Sequence, residues 1–460
     1  MQVSMDDRTD DSAATFDEVE SFLAAHPDID AVDYLITDTN GVLRGKWAPA
    51  DSLRKAFETG INFPLSLFGL DIWGREVTET GLHVESGDPD GFCRAVPGSL
   101  RKVSWAERPT AQAMLQMFTD EGAPFFADPR QRLAAVVDRM AAAGFSATSA
   151  FELEFYLVDP DSIAHATDPT PVLQGNGGPD RQNMYGLADL SDFETLFSDI
   201  RAFGTEQGLP IDTIVSEAAP GQFEVNLKHR GDALAAADDA MMLKRLVAAA
   251  ARRHGLKASF MAKPFFDWPG NGMHVHVSLI GRDGKNAFAD PETGEARHLA
   301  AIAGLMENMA ASTLVFVPSW NGFRRLQPGS YAPTAASWGY NNRSVALRVP
   351  ASSPEATRIE HRISGADANP YLVLTAVLSA MLDGMEQGLT PPPPVETNAY
   401  ESAAPSLPST MLAALSEFAS SDFIARAFGA DYRDLYAAVK RAEIDEFLTE
   451  ITPLERSTYL

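Results

Sequence analysis

Five short segments of this 460-residue chain alternate apolar side chains with carboxylates, imidazoles and guanidiniums. A strand sends successive side chains to opposite faces, so every second residue shares a face. In Phe151-Glu152-Leu153-Glu154-Phe155 the two carboxylates therefore stand together. Gln222, Glu224 and Asn226 align over residues 222–227, and His274, His276 and Ser278 align over 273–278. Arg358, Glu360 and Arg362 align over 357–363, whereas Arg343 and Arg348 end a fifth segment on opposite faces. Each segment alone reads as a half-buried strand with its polar side in water, the normal pattern of a one-sided sheet. Taken together they carry acids, His and Arg where solvent faces usually carry Lys, Thr, Ser and Gln. Glu152, Glu154, Glu217, Glu224 and Glu360 would repel one another in a shared site unless cations neutralised them. Oxygen-rich donors with an imidazole suit Mg2+ or Mn2+ rather than structural zinc. Guanidinium forks suit phosphates and carboxylates. Metal-binding acids with phosphate-binding arginines describe a phosphoryl-transfer site.

Those segments need a scaffold of helices and turns. Asp128-Pro129 marks a helix start and Gly144 its stop. The Ala/Leu/Met-rich stretch 232–254 has helical spacing and ends at Gly255. Asn369-Pro370 opens a helix that runs to about Gly388, the run 391–394 is a rigid Pro linker, and helices are expected over 408–428 and 431–449. Residues 1–15 read as a disordered acidic tail, and 159–179 as a long loop. The tail is followed by short Gly- and Pro-punctuated segments over 16–107, with a strand over 32–37, and by longer elements over 108–460, so the domain boundary is placed at 106–109. His361 alternates away from Glu360 and reads as structural. Gly41 to Trp47 lacks the spacing of a P-loop and the Ser/Thr after its Lys, and Gly175-Asn176-Gly177-Gly178 sits in a polar stretch that reads as a turn.

The net charge of -26 disfavours nucleic acid and anionic membrane as partners. One cysteine, Cys93, excludes an intrachain disulfide framework and fits a reducing compartment. The N-terminus has no apolar signal core, and no apolar run is long enough to span a bilayer, so the expected location is cytoplasmic.

At these residues the chain resembles the glutamine synthetase superfamily. The motifs appear in the family's order: residues 151–155, Glu217 through Gly221-Gln222-Phe223-Glu224, Gly272-Met273-His274-Val275-His276, Arg325-Leu326-Gln327-Pro328-Gly329, Asn342-Arg343-Ser344, Arg358-Ile359-Glu360-His361-Arg362 and Ala368-Asn369-Pro370. The resemblance implies an α+β fold, with an N-terminal β-grasp domain and a large catalytic domain whose curved antiparallel sheet is flanked by helices. It implies ATP and Mg2+ or Mn2+, with Glu154, Glu217 and Glu224 at the metal nearer glutamate and Glu152, His274 and Glu360 at the metal on the ATP phosphates. Arg325 and Arg362 would hold glutamate, with Gly270 near its α-carboxylate. Arg343, Arg348 and Arg358 would surround the phosphate and nucleotide, and His276 and Ser278 would touch the nucleotide. The partners implied are glutamate, an amine and further copies of the chain, in a homo-dodecamer of two stacked hexameric rings with each site between neighbouring subunits.

Two departures bear on the amine. Pro64 stands where the family's ammonia users carry an Asp, and Tyr331 where they carry a Glu. Together these replacements remove the ammonium site and leave a pocket suited to a substituted amine. The 66–71 and 397–400 stretches resemble the γ-glutamylpolyamine (γ-glutamylputrescine) synthetase branch, and Asp71 and Trp73 are further candidates for the amine pocket, with a surface loop and one packed aromatic as the alternative. The expected function is ligation of the glutamate γ-carboxylate to a polyamine such as putrescine, through γ-glutamyl phosphate, in polyamine metabolism. A monoamine (ethanolamine, methylamine or isopropylamine) or ammonia remains the alternative acceptor.

Overall fold

The computed structural model describes residues 9–164 and 184–460. Its N-terminal sheet contains β1 (Ala31–Thr37), β2 (Leu43–Pro49), β3 (Ile61–Pro64), β4 (Asp90–Ala95), β5 (Arg101–Lys102) and β6 (Thr110–Phe118). The strand order is β2-β1-β6-β4-β3, with β5 also on β6. β1 and β6 run parallel at the centre and the other pairings are antiparallel, as a β-grasp unit requires.

The second sheet contains β7 (Phe145–Val158), β8 (Ile211–Ser216), β9 (Gln222–Leu227), β10 (Lys257–Ser259), β11 (Met273–Gly281), β12 (Trp338–Tyr340), β13 (Leu347–Val349) and β14 (Ile359–His361). Its order is β12-β13-β14-β11-β7-β9-β8, with β10 continuing beside β7. The strands bury Phe151, Leu153, Phe155, Phe223, Val225, Met273, Val275 and Ile359 on one face. Helices cover that face. Pro129–Ala143 starts on an Asp128 cap, whose carboxylate accepts from Arg130 N at 2.8 Å, and stops at Gly144 with φ 93°. Pro370–Gln387 is buried almost throughout, and Asn369 caps it by accepting from Tyr371 N at 3.0 Å. Each fully buried Leu, Val or Ile there contributes about 1.5–3 kcal/mol of hydrophobic stabilisation. Among the described residues no single helix is long and apolar enough to cross a membrane.

Several expectations need correction. Thr110–Phe118 pairs with β1 and β4 in the first sheet, so that sheet includes a strand beyond the expected 106–109 boundary. Of the expected tail, residues 1–8 lie outside the described residues, and the remainder enters a helix, Thr9–Ala25. The loop expected over 159–179 begins with a short helix, Pro160–Ala164, and its remainder lies outside the described residues. The helix expected over 408–428 breaks at Ser421, whose side chain caps a new helix by accepting from Ile424 N.

The two sheets are joined by the helix Ala430–Thr449, which inserts Leu435 and Val439 into the core of the first. Beside them Lys440, 2% exposed, donates to Asn40 Oδ1 at 2.6 Å and to Glu443 Oε2 at 2.9 Å. Glu443 also accepts from Ile72 N at 2.9 Å. Breaking a buried pair strands the remaining charge. Lys440→Met is therefore expected to lower stability by about 3–5 kcal/mol, and adding Glu443→Gln to recover part of that loss. Chemical denaturation of both variants checks this.

Candidate active site

Strand register builds the site. β7 pairs with β9 so that Glu154 lies opposite Glu224 and Glu152 opposite Asn226. On its other side Glu152 faces His274 of β11. β11 and β14 then place His276 opposite Glu360, and β13 places Arg348 opposite Glu360. Glu217 follows β8 at the hairpin into β9, where its N–H donates to Gln222 O at 2.9 Å. Residues separated by up to about 200 positions in the chain thus share one polar face, as the alternation predicted.

The contacts are close. Glu152 accepts from His276 Nε2 at 2.9 Å and meets His274 Nδ1 at 3.3 Å. Glu154 accepts from Gly272 N at 2.7 Å. A Cβ on Gly272 would lie 2.7 Å from Arg325 Nη2, 3.1 Å from His274 Nε2 and 3.4 Å from Glu154 Oε1. The missing side chain of Gly272 leaves room for these three groups to converge. Glu360 receives Arg348 Nη1 at 2.6 Å and Arg362 Nη1 at 2.5 Å.

Electrostatics divide the acids. Burial raises the Glu360 pKa, but Arg362 and then the two imidazoles bring it down to about 2. Burial also opposes ionisation of Glu152, yet the hydrogen bonds from His274 and His276 hold its carboxyl well below the usual range. Glu217 is pushed up to about 7 by burial and by Glu154, and Glu224 is pushed well up by burial and by Glu152, Glu154 and Glu217. Acids driven toward protonation by one another, beside imidazoles, are a fitting donor set for a hard divalent cation. Glu152 can share an ion with His276 and Glu360, or with Glu224 and His274; the ligand atoms of each trio lie within 4.8 Å of one another. These trios cut across the two sets expected from sequence and add His276 as a potential ligand.

The arginines surround the acids. Arg325 is buried and anchored by donation to Ile363 O at 2.7 Å. Gly270 packs against it, since a Cβ there would lie 2.8 Å from Arg325 Cγ. Arg348 Nε and Arg362 Nε are buried without a protein partner. Arg358 Nε donates to His276 Nδ1 at 3.2 Å, and Ser278 Oγ to Thr357 O at 2.9 Å. Arg343 is exposed, and it does not lie on a strand as expected. It occupies a turn before β13, because Asn342 Nδ2 is drawn to Val395 O at 3.0 Å and Thr397 O at 2.7 Å. Its charge reaches Glu217.

The amine-pocket candidates are dispersed. Tyr331 is 66% exposed with φ 58°, on a loop beside Arg325. Pro64 ends β3 in the other sheet. Asp71 is committed to its own turn, accepting from Trp73 N at 2.9 Å and Arg75 N at 2.8 Å. Trp73 packs on Phe447, with ring centroids 5.5 Å apart. His361 is structural: it lies 4.2 Å from the Phe316 ring, and burial lowers its pKa to about 3. Two contributors had no assigned role. Tyr400 Oη donates to Ala332 O at 3.0 Å, within the field of Arg362 and Arg325. Gln222 Nε2 donates to Gly270 O and to Asn271 Oδ1, both at 3.1 Å. Gln222 was legible from its alternation with Glu224, whereas no local pattern marks Tyr400.

Residues 126–459 match the family model described as glutamine synthetase, catalytic domain. Gamma-glutamylputrescine synthetase PuuA of Escherichia coli strain K12 is 39% identical, over 95% of this chain and 93% of its own. Glutamate–isopropylamine ligase of a Pseudomonas species is 33% identical, over 96% and 97%. A solved GmaS/ADP complex superposes with a TM-score of 0.84 at 28% identity, covering 96% of this chain and 99% of that one.

In metal-free protein Glu217 keeps a proton up to about pH 7. The unfolded chain releases that proton near the ordinary Glu value of about 4.3. The native state therefore binds more protons in that window, and this contribution to stability is lost as pH rises toward 7. After EDTA treatment, the Tm advantage of Glu217→Gln over the parent is expected to grow from pH 4.5 to about 7, and Mg2+ to erase it. A difference independent of pH in thermal unfolding contradicts the crowded carboxylate pocket.

Proposed function

The chain belongs to the glutamine synthetase family, and on that premise we propose that its cleft joins the γ-carboxylate of L-glutamate to an amine in a reaction driven by ATP. The protein is an ATP-dependent carboxylate–amine ligase. The observation that carries this reading is the convergence of Glu152, Glu154, Glu217, Glu224, His274 and Glu360 with Arg325, Arg348 and Arg362 on one sheet face.

Arg325 and Arg362 hold the glutamate carboxylates, with Gly270 leaving room beside Arg325. A γ-carboxylate oxygen attacks the terminal phosphorus of ATP, ADP leaves, and γ-glutamyl phosphate forms. Arg343, Arg348 and Arg358 offset charge on the transferring group and the nucleotide, with His276 and Ser278 alongside. The amine, as free base, then attacks the acyl carbon, the bond to phosphate breaks, and the departing phosphate takes up the nitrogen's proton as the amide forms. Mg2+ or Mn2+ held by Glu152, Glu154, Glu217, Glu224, His274 and Glu360 supplies Lewis-acid neutralisation of the phosphate oxygens.

The acceptor in this reading is a polyamine such as putrescine. The 39%-identical relative bears that substrate in its name, and an isopropylamine ligase at 33% supports a monoamine as the second reading. The chain works as two stacked hexameric rings in the cytoplasm. Support for assembly comes from Leu454, Tyr459 and Leu460, which are 74%, 83% and 104% exposed at the C-terminal end, and from Trp47, 85% exposed on edge strand β2.

Phosphate release with glutamate and ATP, compared across ammonia, putrescine, spermidine, ethanolamine, methylamine and isopropylamine, tests the reading. Putrescine is expected to give the highest kcat/KM, and Glu154→Ala to lower kcat by about 10²–10³-fold. Preference for ammonia, or a fully active Glu154→Ala, contradicts it.

A further inference from the structure

We propose that the amine is seated against the loop 263–270, where Phe265 and Trp268 form an aromatic shelf beside Glu217 and Asp267 offers a carboxylate to a second, distal ammonium. This inference rests on the ligase reading above and names the surface that selects its second substrate.

Several ties hold the loop at the reaction centre. Its last residue, Gly270, packs on Arg325 and accepts from Gln222 Nε2 at 3.1 Å. Tyr156 Oη donates to Pro269 O at 2.8 Å, and Lys263 Nζ donates to Trp268 O. The Phe265 and Trp268 ring centroids lie 4.9 Å apart, and 4.9 and 6.3 Å from that of Tyr156. The three rings pack with Ala219, two residues beyond Glu217. Burial, then the charges of Glu154 and Glu217, raise the Tyr156 hydroxyl pKa, so the aromatic cluster lies within the field of the carboxylates.

The shelf is open. Phe265 and Trp268 are only partly buried, Asp267 is exposed, and Phe266 is 92% exposed. Among the described residues no ion pair engages Asp267. Lys263, the neighbouring cation, donates to the Trp268 carbonyl and feels the Asp267 charge without forming an ion pair with it. An amine arrives in water as an ammonium. Ring faces attract that charge, and a methylene chain gains by leaving water against them. Ammonia has no chain to place there, and a monoamine has no distal charge for Asp267. The surface therefore favours an alkyl diamine.

Steady-state kinetics with putrescine and butylamine separate these elements. Trp268→Ala is expected to raise KM for putrescine about tenfold, without a matching rise in KM for glutamate, and Trp268→Phe to restore most of the difference. Asp267→Asn is expected to raise KM for putrescine several-fold and to leave that for butylamine unchanged. An unaltered putrescine KM in Trp268→Ala, or a parallel rise in the glutamate KM, overturns the shelf while leaving the ligase reading intact. Equal effects of Asp267→Asn on both amines overturn the distal contact. Wild-type enzyme that releases no phosphate with any amine overturns the ligase reading and the shelf with it.

Discussion

The structure depends on forcing like charges together. Glu154 and Glu224 face one another across an antiparallel pair, with Glu217 beside them at the adjoining hairpin. A protein without use for such an arrangement would gain by separating them, because buried carboxylates are costly unless cations or donors satisfy them. The surrounding order makes the crowding tolerable. Gly272 donates its N–H to Glu154, two imidazoles serve Glu152, and two guanidiniums serve Glu360. The rest of the repulsion is left for divalent ions to remove.

Rigidity follows from the same sheet. β7 runs for 14 residues and pairs with β9, β10 and β11, so one strand sets Glu154 against Glu224 of β9 and Glu152 against His274 of β11. The buried helix Pro370–Gln387 and its neighbours hold the opposite face. The irregular segments beside it are the Arg343 turn, the Tyr331 loop and the loop 263–270. Such a division suits a ligase whose charged groups are preorganised on a sheet and whose rim is made of loops.

The parts of the site governed by period-two alternation were legible in the sequence. Glu152 with Glu154, Gln222 with Glu224, His274 with His276, and Glu360 with Arg362 all declared their shared faces. Arg343 was misread as a strand residue because its neighbours alternate by chance. What places it is a long-range clamp from Asn342 to the backbone of Val395 and Thr397, and no local pattern encodes that. The place of Thr110–Phe118 in the first sheet was hidden for a related reason: it pairs in parallel with β1, a partner nearly eighty residues away. No local pattern marks the placement of Tyr400 near Arg325 and Arg362, or of Phe265 and Trp268 against Tyr156, since these neighbours are tertiary.

Strand register, with the β8–β9 hairpin that carries Glu217, gathers distant carboxylates and imidazoles into a donor set fit for divalent cations. Diffraction from crystals grown with Mn2+, recorded with anomalous signal, tests it most directly. The account predicts anomalous peaks bounded by Glu152, Glu154, Glu217, Glu224, His274 and Glu360, with His276 as the competing imidazole. Peaks held by other residues, or none at that sheet face in saturating Mn2+, would contradict it.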